Sequence, residues 1–145
     1  MQSNLLAVEP AAMAWIEIGL ALIVGAMIGS FLNVVVYRLP RMLERQWHDE
    51  CAHLSGEAVS PGPVYNLATP GSACPKCDHP IRWFENIPVF SYLMQRGRCN
   101  HCRAPIAARY PLVEGFTALA TAFTIGFFGV NATGIAALVL VWSLI

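Results

Sequence analysis

Charged side chains are scarce in this sequence: they make up 12% of 145 residues, whereas 56% of the residues are hydrophobic. A soluble domain carries about 25% charged residues, so the composition argues for a membrane protein. Lys and Arg are absent before Arg38 and after Arg109, and the stretch between them holds nine bases and six acids without a dense basic stripe. We therefore expect no nucleic-acid partner.

This charged stretch lies between apolar runs, the first of which is predicted to be a transmembrane helix at residues 13–37. The 23 residues from Trp15 to Tyr37 would extend about 34 Å as a helix and cross a bilayer. No basic residues precede the run, as a cleaved signal peptide would require, and three arginines follow it at once. The positive-inside rule then places the N-terminus outside and residues 38–110 in the cytoplasm.

Small residues recur every four positions along this first run, at Ala21, Gly25 and Gly29, and Asn33 continues the row. Neighbouring members of such a row share one face of a helix, so they predict a surface that a second helix can approach closely. Asn33 is expected to hydrogen-bond across the contact. We expect the partner helix to come from a part of the protein beyond these residues.

A second transmembrane helix is predicted at residues 111–130. Glu114 lies near its cytoplasmic end, and a carboxylate one turn inside a membrane helix is costly, which makes it a candidate functional residue. The alternative is an interfacial group that snorkels or pairs with Arg109. Residues 134–145 are apolar but reach only about half-way through a bilayer. We interpret them as the start of a third transmembrane helix in a longer polytopic protein.

Four cysteines in the cytoplasmic loop form two Cys-x-x-Cys pairs separated by 21 residues, and each pair is followed by Pro and Ile after the same interval. Paired cysteines at this spacing predict a four-thiolate metal site in residues 74–106. Zinc is favoured because the loop is expected in a reducing compartment. Rubredoxin-type iron, two disulfides or unrelated cysteines are the alternatives. The four candidate ligands are Cys74, Cys77, Cys99 and Cys102.

Other parts of the loop give weaker signals. Cys51 is interpreted as a cysteine that this polar loop happens to contain, and the alternative is a spare ligand or a reactive thiol. A Gly/Pro/Ser-rich stretch at residues 55–63 should break regular structure. Between the cysteine pairs, the pattern around Phe90 fits either a short strand or one helical turn. This segment is expected to cover the metal with apolar side chains, namely Trp83, Phe84, Val89, Phe90 and Leu93.

The expected fold class is therefore a polytopic α-helical membrane protein in which transmembrane helices flank a cytoplasmic zinc-ribbon-like loop with four cysteines. Several stretches also resemble the N-terminal part of bacterial type IV prepilin peptidases. These are GSFLNVVVYRLPRML from Gly29, the CPKC pair, WFENIPVFSYLMQRGRCNHC from Trp83, and the IAARYPLVEG that follows. The resemblance covers roughly residues 25–125, well over half of the chain.

This resemblance implies a bifunctional enzyme of the bacterial inner membrane. Such an enzyme cleaves the leaders of type IV prepilins or type II secretion pseudopilins and N-methylates the new N-terminus with S-adenosylmethionine. The family uses two catalytic aspartates, one of them in a Gly-x-Gly-Asp motif. This sequence has only Asp49 and Asp78 and no such motif.

We therefore expect no catalytic residue within the chain, and the aspartates beyond Ile145. Membrane lipids and prepilins are the expected partners. Two functions of other classes remain open from the residues alone. One is a membrane-anchored zinc-ribbon module that binds a partner without catalysis, and the other is a rubredoxin-like electron carrier.

Overall fold

The structure is a computed structural model that describes residues 9–56 and 62–145, and its regular elements there are helices. Helix α1 runs over Glu9–Leu54, a 3-10 turn over Trp83–Asn86, α2 over Phe90–Met94, α3 over Arg109–Phe128 and α4 over Ala132–Leu144. Most of the predicted Gly/Pro/Ser break, residues 57–61, lies outside the described residues.

Helix α1 does not end where the first predicted transmembrane segment ends. It continues through Pro40 to Leu54 and has 46 residues, although a proline inside a helix removes one backbone hydrogen bond. At 1.5 Å per residue α1 is about 69 Å long, more than twice the hydrocarbon thickness of a bilayer. The helix end and the membrane boundary are therefore separate features, and a boundary near residue 37 stays a prediction.

Helices α1 and α3 lie antiparallel and touch backbone to backbone. A Cβ atom built on Gly25 would lie 2.7 Å from the Cα of Ala118, and one built on Gly29 would lie 2.8 Å from the Cα of Glu114. Only glycine permits these separations, since real Cβ contacts do not occur below about 3.0 Å. The two glycines therefore set how closely the helices approach.

The same face carries the predicted polar contact, because the side-chain Nδ2 of Asn33 donates to the carbonyl of Tyr110 at 3.2 Å. Ala21 is buried together with Ile125 at the other end of the contact. The prediction of a small-residue packing face is thus confirmed. The expectation that its partner comes from elsewhere was wrong, because α3 of the same chain fills the face.

Threonine hydroxyls line the buried side of α3 without leaving polar atoms unpaired. Thr117 and Thr121 are fully buried, and their Oγ1 atoms donate to the carbonyls of Val113 and Thr117, each at 2.7 Å. Trp142 on α4 donates its Nε1 hydrogen to the Thr121 Oγ1 at 2.9 Å. These bonds satisfy the hydroxyls locally and attach α4 to the helix pair.

Helix α4 begins slightly earlier than predicted. The chain turns at Gly129, whose φ is 73°, and the side-chain oxygen of Asn131 accepts the backbone N–H of Gly134 at 3.0 Å. Asn131 therefore caps the helix, which includes residues 132 and 133 ahead of the predicted start at residue 134.

Arg38 holds the loop against α1 just beyond the predicted membrane boundary. Its side chain is only 8% exposed and donates to the carbonyl of Asn66 at 2.9 Å. The Tyr65 ring lies 5.8 Å from the Arg38 guanidinium and 4.5 Å from that of Arg45. These contacts return the chain to the part of α1 that follows residue 37, here called the extension of α1, before the first cysteine pair.

By length and composition, α1 from Met13 onward and α3 are the two described helices that are able to cross a membrane. The shorter apolar helix α4 has 13 residues. The first two predicted spans fall within α1 and α3, and a third span that begins in α4 stays a prediction. Membrane insertion and its direction belong to the proposals below.

Substituting Gly25 tests the helix contact. We expect Gly25→Ala to lower the free energy of unfolding by about 1–3 kcal/mol, because the added methyl group meets backbone atoms that cannot move aside. Gly19 lies on the same helix with open space around its Cα, so Gly19→Ala is the matched control and should be neutral or stabilising. Unfolding in mixed micelles, followed by circular dichroism, measures both. Equal stabilities of the two variants would contradict the contact.

Candidate metal centre

Each cysteine pair lies on a tight turn, here called a knuckle. In the first knuckle the backbone N–H of Cys74 donates to the carbonyl of His79 at 3.0 Å, and the N–H of Asp78 donates to the carbonyl of Cys74 at 2.9 Å. An isolated antiparallel bridge between Ala73 and Pro80 closes the turn. Backbone hydrogen bonds therefore fix the positions of both sulfur-bearing residues.

The second knuckle repeats this pattern 25 positions later. The N–H of Cys99 donates to the carbonyl of Ala104 at 2.9 Å, and the N–H of Arg103 donates to the carbonyl of Cys99 at 3.0 Å. The closing bridge joins Arg98 and Pro105. The repeat seen in the sequence is thus a repeat of backbone geometry.

Both knuckles place the residue after the second cysteine in the left-handed region. The φ angle is 52° at Asp78 and 59° at Arg103. Asp tolerates this conformation better than most residues, whereas it is unfavourable for Arg. The tight turn is therefore formed against the local preference of Arg103, which indicates that the surrounding contacts enforce it.

The two knuckles bring the four predicted ligands together. Their sulfur atoms all lie within 4.8 Å of one another, and the Sγ atoms of Cys74 and Cys102 are 3.7 Å apart. Tetrahedral thiolate ligation at about 2.3 Å gives sulfur–sulfur edges of about 3.8 Å. All four cysteines are free thiols, so the structure supports neither the disulfide pairing nor the reading as unrelated residues. The cluster is able to hold one metal ion.

Hydrogen bonding prepares at least one sulfur for a cation. The backbone N–H groups of Lys76 and Cys77 point at the sulfur of Cys74 and lower the pKa of this thiol to about 6. The thiolate is the form that binds metal, so these amides favour binding. The rings of His79 and His101 stack beside the cluster with centroids 4.9 Å apart.

Between the knuckles the undecided segment is helical, with a 3-10 turn and α2. Glu85 ties the turn to the second knuckle, since its carboxylate accepts the backbone N–H of Arg82 at 3.0 Å and the side-chain amide of Asn100 at 2.7 Å. These bonds, that of Asn100 above all, lower the pKa of Glu85.

The apolar side chains of this segment do not cover the cysteine cluster as predicted. Trp83 is 82% exposed and Leu93 is 67% exposed, and Phe84 and Phe90 are exposed as well. The expectation was wrong because the tight knuckle turns bury Cys74 and Cys99 without help from the segment. Its aromatic residues are left on the surface.

Glu114 is 8% exposed, and its Oε2 accepts the backbone N–H of Val89 at 2.7 Å. The two alternatives for this carboxylate were a snorkelling group and a partner of Arg109. The structure has neither, since Glu114 is buried and Arg109 instead donates to the hydroxyl of Tyr110 at 3.3 Å. Glu114 therefore joins α3 to the turn that precedes α2.

That turn is strained. Val89 has φ 60° and ψ −48°, and the N–H of Phe90 donates to the carbonyl of Pro88 at 2.6 Å, which is the geometry of a γ-turn with positive φ. Such turns are rare, and for a β-branched residue the conformation costs on the order of 1–3 kcal/mol. The sequence analysis named Val89 only as an apolar side chain and missed its contact with Glu114, because this contact uses a backbone N–H that no side-chain motif encodes.

The remaining candidates from the sequence lie apart from the cluster. Cys51 is exposed and, like Asp49, belongs to the extension of α1. Asp78 forms part of the first knuckle, where its backbone rather than its carboxylate makes the hydrogen bond.

Comparison with known proteins gives one family. Residues 23–128 match the model of the bacterial peptidase A24 N-terminal domain. A prepilin leader peptidase/N-methyltransferase of Pseudomonas putida is 46% identical over 140 residues, covering 97% of the chain and 47% of the relative. Relatives of the same name from Aeromonas hydrophila and Pseudomonas aeruginosa are 48% identical over 134 residues and 47% identical over 125 residues.

The Aeromonas alignment covers 90% of this chain and 46% of the relative, and the Pseudomonas aeruginosa alignment covers 86% and 43%. The chain thus spans less than half the length of the curated relatives it matches. No solved structure matches the chain.

Metal content tests the cluster. We expect the purified chain to contain about one metal ion, because four thiolates complete a tetrahedral shell. Cys99→Ser should lose most of the metal, whereas Cys51→Ser, which alters a cysteine outside the cluster, should keep it. Elemental analysis by mass spectrometry measures all three proteins. Equal metal content in the Cys99→Ser and Cys51→Ser variants would contradict the assignment.

Proposed function

The chain belongs to the bacterial peptidase A24 N-terminal domain family, and on that basis we propose that it forms the membrane-anchored, zinc-bearing part of a prepilin leader peptidase/N-methyltransferase. The observation that carries the proposal is the high identity to three enzymes of that name over most of the chain, joined to the converging cysteines. The same identity favours an enzyme over a zinc ribbon that only binds a partner.

The proposed substrates are type IV prepilins or type II secretion pseudopilins. An aspartic peptidase activates water with two carboxyl groups that share a proton, and among the described residues Asp49, Asp78 and Glu114 do not form such a pair. Glu114 is occupied by the N–H of Val89, Asp49 lies on the exposed extension of α1, and Asp78 belongs to a knuckle. We therefore assign cleavage to aspartates supplied by another segment, and presentation of the substrate to this one.

Zinc is the proposed metal. Four thiolates without an open position are typical of structural zinc sites, which contribute folding energy and not chemistry. Cys74, Cys77, Cys99 and Cys102 would hold the ion and fix the knuckles relative to each other. Iron in the same cluster would give a rubredoxin-like carrier, and the elemental analysis above separates the two metals.

The proposed location is the bacterial inner membrane, with α1 and α3 crossing it and the cysteine module in the cytoplasm. All nine Lys and Arg residues lie between Arg38 and Arg109, which supports this orientation through the positive-inside rule. The module would then lie on the reducing side, where free thiolates persist.

S-adenosylmethionine is the proposed methyl donor, because the relatives are named as N-methyltransferases. Within residues 9–56 and 62–145 no strand leads into a glycine-rich loop of the kind that binds nucleotide-like cofactors.

A chimera tests the function. Replacing the matching part of the Pseudomonas aeruginosa relative with this chain should give an enzyme that processes prepilin, whereas the chain alone should not. Gel mobility reports cleavage, and the N-terminal mass of the product reports methylation. The chimera with Cys99→Ser should lose activity, and the chimera with Cys51→Ser should keep it.

Processing of prepilin by the chain alone would contradict the assignment of cleavage to another segment. An inactive chimera that inserts in the membrane and binds zinc would favour the binding-module alternative.

Labelling of Cys51 tests the orientation. A membrane-impermeant thiol reagent should not label it in intact cells and should label it in inverted vesicles, because Cys51 lies beyond the basic residues that mark the cytoplasmic side. Cys51→Ser provides the background from the other cysteines. If intact cells are labelled and this labelling disappears in Cys51→Ser, residues 38–110 lie outside and the proposed orientation is wrong.

A further inference from the structure

The segment between the knuckles, residues 83–94, carries a concentration of exposed apolar side chains on the otherwise polar module. We call it the apolar segment. Two short helical pieces and the γ-turn at Val89 form it. Exposed apolar side chains concentrated in one short segment indicate an interaction site. Its exposed members are Trp83, Phe84, Ile87, Phe90, Leu93 and Met94.

The contact between α1 and α3 fixes how deep the apolar segment lies. Gly29, which touches Glu114, is nine residues from Arg38, so it lies about 13–14 Å to the membrane side of this arginine. On the other helix, Glu114 is five residues from Arg109, or about 7–8 Å inside it. Measured along either helix, the backbone of Glu114 therefore lies on the membrane side of Arg38 and Arg109.

The Glu114 side chain brings the loop to this level. Helical side chains tilt toward the N-terminus of their helix, so the carboxylate points back toward the cytoplasm and lies roughly 4–10 Å inside the two arginines. The Oε2 atom of this carboxylate is 2.7 Å from the backbone nitrogen of Val89, whose hydrogen it accepts. Helix α2, which begins at Phe90, therefore starts at the depth of the boundary between headgroups and acyl chains.

We propose that the apolar segment lies in the cytoplasmic interface of the membrane that α1 and α3 span, and that Glu114 is the positioning residue that holds it there. This inference rests on the membrane placement proposed above. The occupant of the apolar segment is the lipid bilayer, because Glu114 attaches this segment to α3 on the membrane side of Arg38 and Arg109.

Two physical features suit this location. Aromatic residues are enriched at membrane interfaces, and the backbone of α2 satisfies most of its own hydrogen bonds, as a low-dielectric environment requires. The N–H of Val89 precedes α2 and would be costly to leave unpaired there, and Glu114 accepts it. The strained γ-turn directs this N–H at the carboxylate.

Charge adds to the attraction. From Cys74 to Arg109 the chain has six basic and two acidic residues. A net positive module next to the cytoplasmic leaflet is drawn to anionic lipids.

Tryptophan quenching by brominated lipids tests the inference. The probe is Phe90→Trp in a chain whose four native tryptophans, Trp15, Trp47, Trp83 and Trp142, are replaced by Phe, reconstituted with zinc in nanodiscs. We expect its emission to fall about twofold or more with bromines near the headgroups, and less with deeper bromines. Adding Glu114→Ala should relieve most of this quenching, whereas Glu114→Gln, which keeps an acceptor for Val89, should retain it.

Native tryptophans supply the controls. A variant that retains only Trp142 should be quenched by deep bromines, and one that retains only Trp47, on the extension of α1, should not respond. An unquenched Trp142 would overturn the membrane placement itself. If Trp142 is quenched in its variant but the Phe90→Trp probe is not, the membrane placement stands and the present inference is overturned. If the probe is protected from quenching only at high protein concentration, a second copy of the chain is the occupant.

If Phe90→Trp does not bind zinc, Leu93→Trp in the same background is the second probe, with the same expected result. Equal quenching of the probe with Ala and with Gln at position 114 would contradict the positioning role of Glu114.

Discussion

The approach of α1 and α3 to backbone contact at Gly25 and Gly29 is the constraint on which the rest of the structure depends. Between helices in lipid there is no hydrophobic driving force, so association relies on close packing and on hydrogen bonds that cross the contact. The two glycines allow the close packing, and Asn33 forms the hydrogen bond across the contact by donating to the carbonyl of Tyr110. A larger residue at either glycine would separate the helices and shift Glu114 away from its partner.

Glu114 transmits this geometry to the loop. Its hydrogen bond to Val89 fixes the turn before α2, and Glu85 joins the neighbouring 3-10 turn to Asn100 in the second knuckle. The cysteine cluster is thus connected to α3 by a short series of hydrogen bonds and not by a flexible tether. In the proposed enzyme, such a connection would hold the metal-bearing module beside the membrane surface, where it could present a membrane-anchored substrate to aspartates from another segment.

The parts of this arrangement that follow from residue type and spacing were predictable. Glycines at intervals of four indicated a helix contact, and two Cys-x-x-Cys pairs indicated one four-sulfur cluster. The partner of the glycine face was not predictable, because the residues of α3 opposite it, such as Thr117 and Thr121, read as ordinary membrane helix. The surface position of Trp83 was also missed, since an apolar residue near a metal site is equally compatible with covering the metal and with facing lipid. The bond between Glu114 and Val89 depends on a strained backbone, and residue identity does not encode it.

Hydrogen exchange at the amide of Val89 tests most directly the claim that one buried carboxylate couples α3 to the cysteine module. In zinc-loaded protein in nanodiscs, followed by NMR, this amide should exchange slowly, although it precedes a helix of only five residues, because Glu114 accepts its hydrogen. Protection should persist in Glu114→Gln and disappear in Glu114→Ala while the zinc content stays the same. Fast exchange of Val89 in the unmodified chain would contradict the coupling.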